Sequence, residues 1–350
     1  MRVLIDISHP AHVHFYRHLV SELEHLGHSV AIVARDKEVT LALLDAFGLD
    51  HVTVGASGDK GLIGLGFELV ERVTALRRIG RDFGADVILT RNPAGVQAAR
   101  LLRIPGIFDT DDGREVGIHW KAAAPFAHYI TMPDCITDDY RGKRVPYPSY
   151  KSLAFLHPDR FTPDRSVLEE AGIAPGERYF IARFVGFGAS HDRSEAGMDL
   201  DVKHEVIARL SRHGRVLISS ESELPESLAP HRFSLPPHRL HDALAFSSLV
   251  VGDSQSLAEE SAVLGVPAIR YSSFSGRLAR LRELEERYGL IFEYRLDAPE
   301  AFLDKVSAIA RDGDRSQWQQ RRERLLSEKV DLTTWYRDFV LEMMEAIPGE

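Results

Sequence analysis

The chain has 350 residues, of which 44% are hydrophobic and 27% charged, with 52 acidic and 43 basic side chains giving a formal charge of -9. That length exceeds what one hydrophobic core usually organises, so two domains are expected, and the composition excludes a disordered or fibrous chain. The acidic balance offers no overall attraction to nucleic acid, the single Cys135 cannot form an internal disulfide, and no apolar run approaches the roughly 20 residues that cross a bilayer. The opening residues MRVLIDI form a strand pattern without a signal-peptide core, so a cytoplasmic protein with at most peripheral membrane contact is expected.

Taken in chain order, RVLIDI reads as a buried strand, VHFYRHLVSELEHLG as a helix stopped at Gly27, and HSVAIVAR as the next strand, together a βαβ unit. The stretch KGLIGLGFELVERVTALRRIGRDFG has apolar residues at helical spacing together with Arg77, Arg78 and Arg81. It reads either as a core-packed helix with a basic outer face or as a helix that touches a membrane or a lipid-linked acceptor. ADVILTR, IPGIFDT and YITMPD continue the strand pattern. HPDRFTPDRSVLEEAGIAPGE then carries three prolines and no strand pattern, as a connection with one short helix would. RYFIARFV opens a second series that runs through RVLISS and SLVVGD to PAIRY, with VKHEVIARLSRHG as a helix between strands. DLTTWYRDFVLEMMEAI is a final helix.

Short apolar strands alternating with helices predict an α/β protein with parallel sheets. The expected architecture is two facing Rossmann-like domains with an interdomain cleft. Residues 1–160 form the first, 161–330 the second, and 331–350 a helix packing back on the junction. Ligands of such sheets bind at the carboxyl ends of the strands, so the strand-to-helix loops should carry the chemistry.

The loop with the most legible chemistry follows SLVVGD, where the chain turns through Ser254, Gln255 and Ser256 into a helix carrying Glu259 and Glu260. First-turn amides lack helical partners and, with the positive end of the helix dipole, form a phosphate seat. Ser254 and Ser256 add hydroxyl donors. Glu260 lies about one and a half turns further on, where it can accept from ribose hydroxyls. Read alone, the same turn is an N-cap followed by two solvated glutamates. A nucleophile elbow is excluded, because such hydrolases place their histidine after the serine and all 16 histidines here precede Ser254.

DSQSLAEESAVLGVPAIR resembles the nucleotide-binding signature of the non-hydrolysing UDP-N-acetylglucosamine 2-epimerases, D-S-G-G-x-x-E-E-x-x-x-x-G-x-P-x-x-x-R, with Gln255 and Ser256 in place of two glycines. Nucleotide-sugar glycosyltransferases of the GT-B class carry a looser version of the same element. The resemblance implies that Ser254 and Ser256 hold a diphosphate and that Glu260 holds the ribose, with Gln255 between the serines as a further nucleotide-binding candidate. From RVLIDISHPAHVHFYRHL through SYKSLAFLHPDRFTPD the chain also resembles the domain-of-unknown-function family 354, which is grouped with the GT-B enzymes. That likeness implies a fold and leaves the reaction open.

Other loops supply further candidates. DISHPAHVHF resembles the G-G-H-V loop of the lipid-linked N-acetylglucosaminyltransferase of peptidoglycan synthesis. His12 matches its histidine and is the candidate general base toward an acceptor hydroxyl. His9, His12 and His14 lack the spacing of a known zinc site, so no metal is expected. In FVGFGASHDR, Gly186 and Gly188 permit a tight phosphate-facing turn and the preceding Arg183 supplies charge to a diphosphate, while His191 and Arg193 resemble an epimerase stretch only in part. FDTDDGREVGIH places Asp109, Asp111 and Asp112 after a strand, either as a polar turn or as a carboxylate base at the acceptor. Arg91 and Asn92 end the preceding strand. In SLPPHRLHDAL, His238 and Leu240 occupy the neighbourhood that contacts the base in GT-B enzymes.

Three functions follow. The first is metal-independent transfer of a sugar from a nucleotide diphosphate donor, expected to be a UDP-sugar and held by the C-terminal half, to a glycan, lipid-linked or small-molecule acceptor held by the N-terminal half. No tightly bound cofactor is expected. The second is 2-epimerisation, whose family pattern has acids at two places where this chain reads RNPAG and FDTDDG. The third is a non-catalytic nucleotide-sugar binder.

Overall fold

The structure, a computed structural model, describes residues 1–56, 61–184, 198–220 and 223–346. It divides into two units, one made of Met1–Arg160 with the segment that returns at Lys329, the other of Phe161–Glu328.

The first unit is built on seven strands, β1 (Arg2–Ile7), β2 (Ser29–Asp36), β3 (Val52–Ala56), β4 (Val87–Thr90), β5 (Gly106–Asp109), β6 (Tyr129–Pro133) and β7 (Arg144–Tyr147). Their order is β3-β2-β1-β4-β5-β6-β7 and every pairing is parallel. Helices cover such a sheet on both faces, so its inner strands are apolar almost throughout, and β1 and β4 are buried along nearly their whole length. Leu4, Val33, Leu76, Ile88 and Ala98 belong to one core on this sheet.

The first helix, Pro10–His25, buries Val13, Tyr16, Leu19, Val20 and Leu23, the stripe expected of a 3.6-residue period. It stops because Gly27 adopts φ 81°, which lets the His28 amide turn back to the Leu23 carbonyl at 3.0 Å. The chain leaves this unit after Arg160 and returns with the Val330 amide on the Pro148 carbonyl at 3.0 Å, and with the Ser149 hydroxyl on the Val330 carbonyl at 2.7 Å. Helix Leu332–Ala346 buries Leu332, Tyr336, Val340 and Met343 and packs on Pro10–His25 and Leu153–Leu156. Tyr336 meets Phe15 edge-on at 5.5 Å, and Arg160 ties Asp331 to Glu22.

The second unit has β8 (Tyr179–Phe184), β9 (Arg215–Ser220), β10 (Val250–Gly252), β11 (Ala268–Tyr271) and β12 (Ile291–Tyr294), in the order β12-β11-β10-β8-β9 and again parallel throughout. Phe180, Ala182, Val206, Leu210, Val251, Ile269 and Phe302 share its core, over which helices Leu200–Ser211 and Pro299–Arg311 pack against each other.

The nine strands read from sequence are all present among the described residues. The three not read, β3, β7 and β12, are each the edge of a sheet. An edge strand has only one hydrogen-bonded neighbour and needs no continuous apolar run, and β7 even contains Pro146. The basic helix is Gly61–Phe83: Val73 and Leu76 face the core, whereas Phe67 and Val70 are exposed. Among the described residues no helix is long and apolar enough to cross a membrane.

Because Tyr336 is a fully buried aromatic on the returning helix, Tyr336→Ala should lower unfolding free energy by about 3–5 kcal/mol. Denaturant titration of the full chain measures this, and a loss within 1 kcal/mol, below the range for buried aromatics, would mean the helix adds little to the first unit.

Candidate functional site

In the second unit, β10 ends at Gly252, Asp253 follows, and Ser254 caps helix Gln255–Val263. The Ser254 hydroxyl accepts from the Leu257 amide at 3.3 Å, so the capping geometry read from sequence is present. Ser254, Gln255 and Ser256 are half-buried between a buried strand and a buried helix, which leaves this turn as the polar opening of that element. Gly252 is required by packing: a Cβ there would collide with the Arg183 carbonyl oxygen on β8. That approach lets the Asp253 amide donate to the same carbonyl at 3.3 Å and sets the turn beside the end of β8. Arg183 donates from Nη1 to the Ser219 hydroxyl at 2.8 Å. Gly186 and Gly188, and with them His191 and Arg193, lie outside the described residues.

Glu259 and Glu260 are not a solvated face; both are buried. Glu259 pairs with Arg280 at 2.9 Å, and Glu260 lies 3.3 Å from Nε2 of His241. The histidine in contact with Glu260 is thus His241, at the start of helix Leu240–Phe246, while His238 is exposed in the short turn Pro237–Arg239. Behind the turn, the buried Arg270 donates from Nε to the Asp253 carbonyl at 3.1 Å and from Nη1 to Glu293 at 2.6 Å. Arg280 reaches the side-chain carbonyl of Gln255 at 3.4 Å. Burial pulls Arg270 below the ordinary arginine value, Glu293 opposes that pull, and Arg280 adds to it. Arg270 and Arg280 each face a glutamate there, so the groups of this corner that favour an anion are the first-turn amides and the positive end of the helix dipole. Sequence reasoning missed His241, Arg270 and Arg280 as partners; Arg270 was visible only as the last residue of the nucleotide-binding resemblance.

In the first unit the loops after β1, β4 and β5 and the segment after β7 gather the other candidates. His9 caps helix Pro10–His25, its Nδ1 accepting from the Ala11 amide at 3.2 Å, and Asn92 caps helix Pro93–Leu102, accepting from Ala94 at 2.9 Å. Each helix begins with proline, whose missing amide costs nothing at that position. The Arg91 guanidinium bridges Asp109 and Asp111, Lys151 meets Asp111 at 2.8 Å, and the Thr131 hydroxyl donates to Asp109 at 2.9 Å. Burial pushes the Asp109 carboxyl up to about 6 against the pull of Arg91. Burial also opposes the charge on Arg91, but Asp111 and Asp109 hold its pKa above the ordinary arginine value. His12 sits among them with Nδ1 accepting from the Ser8 amide at 3.3 Å. Burial, followed by Arg91, His9 and Lys151, pushes the ring well below 6.5, with Asp111 opposing, so it is neutral at ordinary pH.

The comparisons with known proteins agree with this anatomy. Residues 1–146 match the family model described as protein of unknown function (DUF354). No curated protein matches the chain. Among solved structures, the UDP-GlcNAc 2-epimerase of Neisseria meningitidis bound to UDP-GlcNAc is similar, with 11% identity, 99% of this chain and 100% of that chain covered, and a TM-score of 0.67. The MnaA–UDP structure from S. aureus has 12% identity, 100% and 99% coverage and a TM-score of 0.69. The glycosyltransferase VinC in complex with dTDP has 12% identity, 98% and 100% coverage and a TM-score of 0.62. At such identities the likeness is one of fold. The chain has the GT-B fold, two α/β domains on parallel sheets of seven and five strands.

Two substitutions test the geometry. Arg91→Leu leaves two buried carboxylates without their shared cation and should cost about 3–5 kcal/mol of stability. Gly252→Ala forces β10 away from β8 and should cost about 1–3 kcal/mol. Denaturant melts read both, and an unchanged midpoint for either variant contradicts the contact it removes.

Proposed function

We propose that the protein is a glycosyltransferase that moves a sugar from a nucleotide diphosphate donor, a UDP-sugar, to a hydroxyl acceptor. The observation that carries this reading is the half-buried Ser254-Gln255-Ser256 turn, which opens a helix at the carboxyl end of a parallel strand and is backed by the buried Arg270 and Arg280. Amides at a helix start match the charge of a diphosphate, and that charge grows as the diphosphate leaves. The fold relatives captured with UDP-GlcNAc, UDP or dTDP support a nucleotide ligand. Under this reading Ser254, Gln255 and Ser256 hold the diphosphate together with Arg183, and Gly186 and Gly188, outside the described residues, stay candidates for the same role. Glu260, held by His241, faces the ribose, and His238 borders the base. The first unit supplies the acceptor-side groups, His12, Asp109 and Asp111, and no tightly bound cofactor or metal takes part.

A second reading, 2-epimerisation, is favoured by the UDP-GlcNAc 2-epimerase structure that this chain resembles along its whole length. It requires acids around the sugar, and Asp109 and Asp111 are the acids that β5 delivers to the end of the first sheet.

A nucleoside diphosphate at about 100 times its dissociation constant should raise unfolding free energy by about 2.7 kcal/mol. A thermal-shift series over nucleoside diphosphates and their sugars is expected to respond most to UDP compounds, and Glu260→Gln is expected to shrink that response. A flat response to every nucleotide overturns the proposal, and conversion of free UDP-N-acetylglucosamine to its 2-epimer without acceptor selects the second reading.

A further inference from the structure

We propose that His12 serves its ligand as a hydrogen-bond donor through Nε2–H and is not the base that takes the acceptor proton. The ring is oriented by a chain of hydrogen bonds whose direction is settled at its far end. The Ala94 amide can only donate, and it donates to Asn92 at 2.9 Å, so the atom it meets is the side-chain oxygen of Asn92. The amide nitrogen of Asn92 then faces the Ser8 hydroxyl at 3.4 Å and donates to it. With a lone pair of the Ser8 oxygen used in that way, the hydroxyl proton is free to point at Nδ1 of His12, 3.5 Å away. The Ser8 backbone amide, again a donor only, points at the same Nδ1 at 3.3 Å.

Two donors aimed at one ring nitrogen require a lone pair there. A neutral imidazole has one lone pair and one N–H, so the proton sits on Nε2, and Nε2 makes no hydrogen bond to another described residue. A general base needs a free lone pair toward the substrate, and this ring presents an N–H instead. Protonation at Nδ1 would set N–H against N–H. The charged groups facing the ring include Arg91 after β4 and Lys151 after β7, each opposing a positive ring, and Asp111 after β5, favouring it, while His9 in the same loop also opposes a positive ring and is itself lowered to about 4, chiefly by burial. An oxygen, and above all a negatively charged one, is the partner that such a donor among cations selects.

That a substrate oxygen meets Nε2 rests on the proposed transfer reading, whereas the tautomer does not. Nitrogen-15 NMR of the ring in the full-length protein, assigned with His12→Gln, is expected to show a neutral ring with its proton on Nε2 from pH 8 down past its ordinary value of about 6.5. A proton on Nδ1, or a ring that titrates near that ordinary value, overturns the proposal. Donor hydrolysis, with UDP-N-acetylglucosamine as probe, supplies the second arm. Glutamine keeps an N–H donor and alanine does not, so His12→Gln is expected to be about tenfold faster than His12→Ala, whereas a lost base would slow both alike by about 100-fold or more. Equal, large losses overturn the donor role. A wild-type chain that binds no nucleotide removes the transfer reading, and the tautomer then decides this proposal alone.

Discussion

Both sheets are parallel throughout, and that one constraint organises everything else in the molecule. A parallel strand cannot return by a hairpin, so each strand hands the chain to a crossover, usually a helix, at its carboxyl end. Every such hand-over exposes backbone amides that the helix does not pair. The polar side chains Ser8, His9, Arg91, Asn92, Asp111, Asp253 and Ser254 all occupy these hand-over positions, whereas the strands before them are mostly apolar, with Asp6, Thr90 and Asp109 as buried polar members.

The two units then treat buried charge in related ways. In the first, Arg91 spans Asp109 and Asp111 and Lys151 completes a cluster of two cations and two carboxylates. In the second, Arg270 pairs with Glu293 and Arg280 with Glu259. Arg91 joins the ends of β4 and β5, Arg270 joins the loop after β10 to β12, and Arg280 joins helix Ala279–Glu286 to helix Gln255–Val263. Breaking such a pair leaves an uncompensated buried charge, which makes the loops it holds resistant to displacement. Both clusters are balanced among their own members. In the second, Arg270 also holds the carbonyl that precedes a helix start, and the first-turn amides of that helix favour a negatively charged ligand.

Much of this was legible without coordinates. The nine interior or strongly apolar strands, the cap at Ser254 and the helix after it follow from apolar runs and small polar residues, because burial on both faces and helix capping each leave a local mark. The edge strands β3, β7 and β12 left no such mark, since an edge needs no continuous apolar run, whereas the edge strand β9 kept one. Glu260 lies on the helix that follows the turn, but its burial against His241 was not visible, and the nearer-looking His238 is exposed. A histidine three places further on reads the same in sequence; only the packing of helix Leu240–Phe246 separates them.

The sequence by itself determined the alternation of strand and helix, the doubling of the α/β unit and the positions where polar residues interrupt apolar runs, because each of these depends on neighbours within a few residues. Only the tertiary structure decided who meets whom. Asn92 stands 84 residues from Ser8 and yet orients its hydroxyl, and through it the ring of His12. Arg270 reaches back 17 residues to hold the carbonyl ahead of Ser254. Proton positions and ion pairs of this kind are set by adjacent strand ends of a parallel sheet, and adjacency there follows the order of strands in space and not their order in the chain.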